Sequence, residues 1–184
     1  SAPRVGRDRR SRRRYATPRR AEGVEFLSAE DLLPAIVFVF SRQGCDEAAA
    51  SLLEAGVRLT DRTERARIRA VAAEYTRGLD PGDLEALGHD RRLATLEHGL
   101  AAHHAGMVPP VKEAVERCFV EGLVKVVFAT ETLALGINMP ARSVVIESLS
   151  KFTGDHHEDL TPSQYTQLTG RAGRRGLDPV GRAE

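Results

Sequence analysis

A chain of 184 residues is long enough to bury one substantial core. Its formal net charge of +1 hides an asymmetry: residues 1–20 hold nine arginines against Asp8 alone, a charge of +8, which leaves −7 for residues 21–184. An acidic body with a basic leader excludes any whole-domain electrostatic argument for nucleic-acid binding and leaves only local patches to make one.

Residues 1–23 are rich in Arg, Pro, Gly and Ser and have little to bury, so they read as a disordered leader or linker, and residues 24–184 as one domain. As a solvated arm the leader has no role in a site; as a phosphate-tracking segment it makes binding sensitive to salt. Ala35–Phe40 is a continuous apolar run, which suits a strand covered on both faces, as in a parallel sheet. A helix follows, with Cys45, Ala48, Ala49, Leu52 and Leu53 as its apolar stripe and Gly56 as its stop. Residues 57–99 are charged and helical in pattern, with Ile68, Val71, Ala72 and Tyr75 on one stripe and a break at Asp80-Pro81-Gly82-Asp83. They read as a helical insertion or hairpin inside the domain.

Leu100–His104 is a short strand pattern leading into Ala105-Gly106-Met107. Pro109-Pro110 opens the next helix, whose buried face is Val111, Val115, Cys118 and Phe119, and Gly122 closes it. Leu123–Phe128 and Ser143–Ile146 are further strands. Thr161, Pro162 and Gln164 form a capping box with proline at the first helical position, which starts a last helix. Strands alternating with helices predict an α/β fold with a mostly parallel sheet. Ligands of such sheets bind beyond the carboxyl ends of the strands, where the polar motifs of this chain fall.

The most specific of those motifs is Gln167-Leu168-Thr169-Gly170-Arg171-Ala172-Gly173-Arg174-Arg175-Gly176. It sets Arg171 and Arg174 three residues apart among glycines near a helix end. Arginine keeps its charge at any working pH and offers a planar fork of donors, and glycine lets the backbone approach closely. The arrangement suits a phosphate met from across a cleft. The adjacent pair His103-His104 has no partner ligands at metal-binding spacing, so no metal is expected, and His103 reads as a core histidine.

These motifs stand in a fixed order: Phe38-Val39-Phe40-Ser41-Arg42, then His103-His104-Ala105-Gly106-Met107, then Ala129-Thr130-Glu131-Thr132-Leu133-Ala134-Leu135-Gly136-Ile137-Asn138-Met139-Pro140-Ala141-Arg142, then the glycine–arginine run. In that order they resemble the second RecA-like domain of superfamily-two DExH-box helicases. Within that class the chain is similar to the superkiller-type RNA helicases and, more narrowly, to the actinobacterial HelY group. Lys151-Phe152-Thr153-Gly154 and the segment 160–178 share the likeness, which covers roughly residues 34–178.

The resemblance implies a RecA-like sheet flanked by helices and a set of roles. Arg171 and Arg174 would meet the γ-phosphate of ATP, with Arg174 as the arginine finger, and Gln167 would lie near the same phosphates or the attacking water. Gly136, Asn138 and Gly170 would border the nucleotide. Ser41, Arg42, His104, Gly106, Thr130 and Glu131 would line the track of a single strand, RNA in preference to DNA, through its backbone. Simpler roles stay open beside these: Arg42 as a strand-end cap, Glu131 as the ion-pair partner of an arginine, Gly136 as a packing glycine.

Neither Gly-x-x-x-x-Gly-Lys-Ser/Thr nor Asp-Glu-x-His occurs in the sequence. In the resembled family those elements hold ATP and Mg²⁺ and belong to the first RecA-like domain of the same polypeptide. The expectation is therefore half an active site, inactive alone, in a chain that starts with Ser1 and so begins inside a longer polypeptide. The family's sheet normally continues past the glycine–arginine run, so a sheet that lacks its last strand is a further expectation. Two cysteines without framework spacing, no secretory signal and no membrane-length apolar stretch lead to an expected cytoplasmic location and no membrane partner. Two rival readings remain, a DNA helicase domain of the same superfamily and a stand-alone nucleic-acid-binding or regulatory fragment without ATPase activity.

Overall fold

The computed structural model describes residues 20–130 and 140–147. Helix α1 (20–29) is followed by β1 (Ala35–Phe38), α2 (Arg42–Glu54), α3 (Arg62–Thr76), α4 (Pro81–Ala86), α5 (His89–Glu97), β2 (Leu100–His103), α6 (Pro109–Val120), β3 (Val126–Ala129) and β4 (Ser143–Ile146). The four strands form one sheet in the order β2-β3-β1-β4, and every pairing is parallel. This is the expected α/β, RecA-like arrangement. The expected loss of a last strand concerns residues beyond 147, outside the described residues.

The sheet is covered on both faces, which explains its nearly unbroken apolar strands. Ala35, Val37 and Val39 point to one face and pack with Val24 and Leu27 of α1 and with Cys45, Ala48, Ala49 and Leu52 of α2. Ile36 and Phe38 point to the other and join Ile68 and Val71 of α3 and Val115, Cys118 and Phe119 of α6. Alternate residues of one strand thus enter two separate cores. Both cysteines are buried and neither is in a disulfide.

Local chemistry sets the helix starts. Ser41 caps α2 by accepting from the Gly44 N–H at 2.9 Å. Asp61 and Glu64 make a reciprocal capping box at α3, with Glu64 N–H donating to Asp61 Oδ1 at 2.7 Å. Asp80 caps α4 with Pro81 in the first turn, so the predicted break is also a helix start. Gly56 and Gly122 end α2 and α6 at positive φ, +87° and +75°, where a side chain would be strained.

Two expectations need correction. The leader was expected to run through residue 23, but residues 20–23 are already helical: Val24 and Leu27 supply a buried face, and Arg20 forms a two-pronged ion pair with Glu147 beyond β4. One of the nine leader arginines is thus spent on structure. The run Ala35–Phe40 was read as one strand, yet pairing stops at Phe38 and Phe40 is 50 % exposed.

Candidate nucleic-acid interface

Parallel register brings the polar motifs to one edge. Phe38 is level with Ala129 and Ile146, and His103 is level with Ala129. The residues that follow each strand, Ser41 and Arg42, His104 and Gly106, and Thr130, therefore leave the sheet at its carboxyl edge.

Three of them are in direct contact. His104 is 4 % exposed, and its Nδ1 accepts the Gly106 N–H at 3.1 Å. An Nδ1 that accepts carries no proton, so the proton sits on Nε2, which donates to Asp46 Oδ2 at 3.1 Å. A Cβ on Gly106 would come within 3.4 Å of Arg42 Cδ and 3.1 Å of His104 Nδ1, so the glycine lets the Arg42 stem lie against the loop. Arg42 is exposed, and its side chain makes no hydrogen bond or ion pair among the described residues. Thr130 is half-buried at the end of β3. Ser41 is exposed, and its Oγ is engaged by the helix cap.

His103 behaves differently. It is fully buried, its Nε2 lies 2.7 Å from Glu116 Oε1 on α6, and its Nδ1 has no partner. It is the expected core histidine, half satisfied. No group of three metal-ligating side chains occurs among the described residues.

Asp46 and Arg92 carry no signal in the sequence. Arg92 of α5 holds Asp46 with two bonds, at 2.8 and 3.3 Å. The partners stand 46 residues apart in the chain, so no local pattern marks them. Glu131, Gly136, Asn138, Gln167, Gly170, Arg171 and Arg174 lie outside the described residues. So does the predicted last helix.

A parallel sheet with helices on both faces and its polar loops gathered at the carboxyl edge defines a RecA-like domain. The chain belongs to the helicase conserved C-terminal domain family, whose model matches residues 57–176. It is 57 % identical over 169 residues to the probable helicase HelY of Mycobacterium tuberculosis, covering 92 % of this chain and 19 % of that protein. It is 46 % identical over 156 residues both to the DExH-box ATP-dependent RNA helicase DExH11 of Arabidopsis thaliana, covering 84 % of this chain and 11 % of the relative, and to the superkiller complex protein 2 of Homo sapiens, covering 81 % and 12 %. The chain thus spans a fifth or less of the length of these curated relatives.

Proposed function

We propose that this chain is the second RecA-like half of an ATP-dependent helicase that moves along single-stranded nucleic acid, RNA in preference to DNA. The observation that carries the reading is the cluster of Arg42, His104 and Gly106 at the carboxyl edge beside Thr130. It combines an exposed guanidinium with no ion-pair partner among the described residues, a fixed imidazole and a glycine that admits close approach. Such a set suits the phosphate backbone of a strand and reads no bases. The RNA preference leans on the printed names of the superkiller-type and DExH-box relatives.

The ATP half-site is carried by residues outside the described ones. Thr130 and Glu147 both stand at the carboxyl edge, and from them the chain enters the segments that hold Gly136 and Asn138 and then Gln167, Gly170, Arg171 and Arg174. The phosphate-binding loop would come from the first RecA-like domain of the same polypeptide. Bound ATP with Mg²⁺ would supply the phosphoryl transfer that drives the cycle. Arg174 and Arg171 would stabilise charge on the transferring phosphoryl group, and Gln167 would orient the attacking water. Alone, the chain would lack turnover. The buried cysteines Cys45 and Cys118, neither in a disulfide, favour a reducing cytoplasm as its place of work.

The test is the ATPase of the intact polypeptide with a uridine 20-mer and with its deoxy counterpart. RNA stimulation that exceeds DNA stimulation and weakens with Arg42→Ala supports the reading. Equal stimulation moves the substrate to DNA and RNA alike. Undiminished turnover by the 184-residue chain alone overturns the half-site.

A further inference from the structure

Asp46 has a role that the motifs do not announce. It lies one helical turn after Arg42 on α2, so the two side chains share a helix face. Its carboxylate accepts from His104 Nε2 at 3.1 Å and from both Arg92 terminal nitrogens. His104 in turn accepts from Gly106 N–H, and Gly106 abuts the Arg42 stem. One carboxylate therefore joins helix α2, the loop after β2 and helix α5 of the insertion.

The outer end of that insertion has little else to hold it. Helix α4 buries no residue, Leu87 is exposed, and a cavity of about 380 Å³ lined by Leu87, Leu93, Ala102 and Ala114 opens beside the start of α5. Where packing is loose, a paired charge that accepts several hydrogen bonds sets position.

We propose that Asp46 is a positioning residue for the nucleic-acid grip: it locks the His104–Gly106 loop against Arg42 and couples that grip, through Arg92, to the outer end of the helical insertion. The inference rests on the reading of this edge as a strand-binding site. It makes the insertion a support whose displacement loosens the grip, with no contact of its own to the strand.

The intact polypeptide tests it, through the concentration of a uridine 20-mer that half-maximally stimulates ATP hydrolysis, together with kcat. Asp46→Ala should raise that concentration about tenfold, as expected for losing a charge-assisted hydrogen bond, and change kcat less than about twofold. Asp46→Asn, which can still accept from Nε2, should recover most of the loss. Arg92→Leu should show a smaller rise in the same direction, and Arg91→Ala, on the same helix with a loose exposed ion pair, none. If Asp46 acts through His104, the double variant Asp46→Ala/His104→Ala should be no worse than His104→Ala alone. Additive effects, or an Asp46→Ala value equal to that of Arg91→Ala, overturn the proposal. If Arg42→Ala raises the concentration while Asp46→Ala and Asp46→Asn do not, the positioning role fails and the site stands. If Arg42→Ala is also silent, the site itself is refuted.

Discussion

The carboxyl edge of the sheet and the helical insertion are both rich in charge, and they use it in opposite ways. In the insertion and its contacts several charges are matched. Arg67 and Arg117 converge on Glu121, Lys125 reaches Glu64 at 2.5 Å, and Arg69 faces Glu97. At the edge, Arg42 is exposed with no described partner, next to a histidine whose two nitrogens are both committed. Charge density therefore does not mark the site. An unpaired cation alone does not mark it either, since Arg62 and Arg77 of the insertion have no described side-chain partner; what sets Arg42 apart is its place at the carboxyl ends of the strands, against a loop held by hydrogen bonds.

The largest effect that would sharpen this contrast lies in the glycine–arginine run. Arg174→Ala in the intact polypeptide should lower kcat for ATP by about 10³-fold or more, as for loss of an arginine finger, and Arg67→Ala should leave it near the parent value. Equal losses from the two would dissolve the distinction between an arginine that serves ATP hydrolysis and one that only pairs locally. Next comes Gly44→Ala. Its Cβ would lie 2.6 Å from Ser41 Oγ and 2.9 Å from Val39 Cγ1. Either the cap on α2 breaks or buried Val39 shifts, at a cost of about 1–3 kcal/mol in denaturant unfolding. Because Ser41 and Arg42 start that helix, strand affinity should fall with stability.

Much of this architecture is written locally in the chain, and what is missing from it is long-range. The run before Ser41, the stripe Cys45-Ala48-Ala49-Leu52 and the proline pair at 109–110 each carry a complete local signal, and each became the expected element. The order of the motifs located the edge. The α1 helix escaped because its buried face rests on Val24 and Leu27 alone, directly after a basic leader and beside Gly23, and packing in the core shared with α2 supplies what propensity does not. Asp46 escaped because its partners Arg92 and His104 lie 46 and 58 residues away. A carboxylate in the second turn of a helix has no pattern that tells a network node from a solvated side chain.

A smaller effect is expected at Arg42. Arg42→Ala should weaken binding of a single strand about tenfold at low salt, and the slope of log affinity against log salt should fall by about 0.7, the value for one phosphate contact to a single strand. The weakening should be the same for uridine and adenosine homopolymers, because a backbone contact reads no base. Fluorescence anisotropy across a salt series measures both. An unchanged slope would return Arg42 to a capping role and remove the cation on which the contrast rests.

The smallest effect belongs to the matched charges. Hydrogen bonds from Arg67, and then from Arg117, hold the Glu121 carboxyl below its ordinary value against the opposing pull of desolvation, and Glu121 in turn raises both guanidinium values. A carboxyl whose folded value is lowered contributes stability that is fully present above the unfolded value of about 4.3 and fades as pH falls through the folded one. Both arginines are open to solvent, so water and salt screen the cluster and the contribution is small. Glu121→Gln should therefore lower the melting temperature slightly at pH 7, and the gap to the parent should close as pH drops below about 4. It should also close in high salt, as screening requires. Strand affinity should not move at any of these conditions. A change in affinity that tracked Glu121 ionisation would mean that the paired charges of the insertion reach the strand after all, and the division between the two regions would fail.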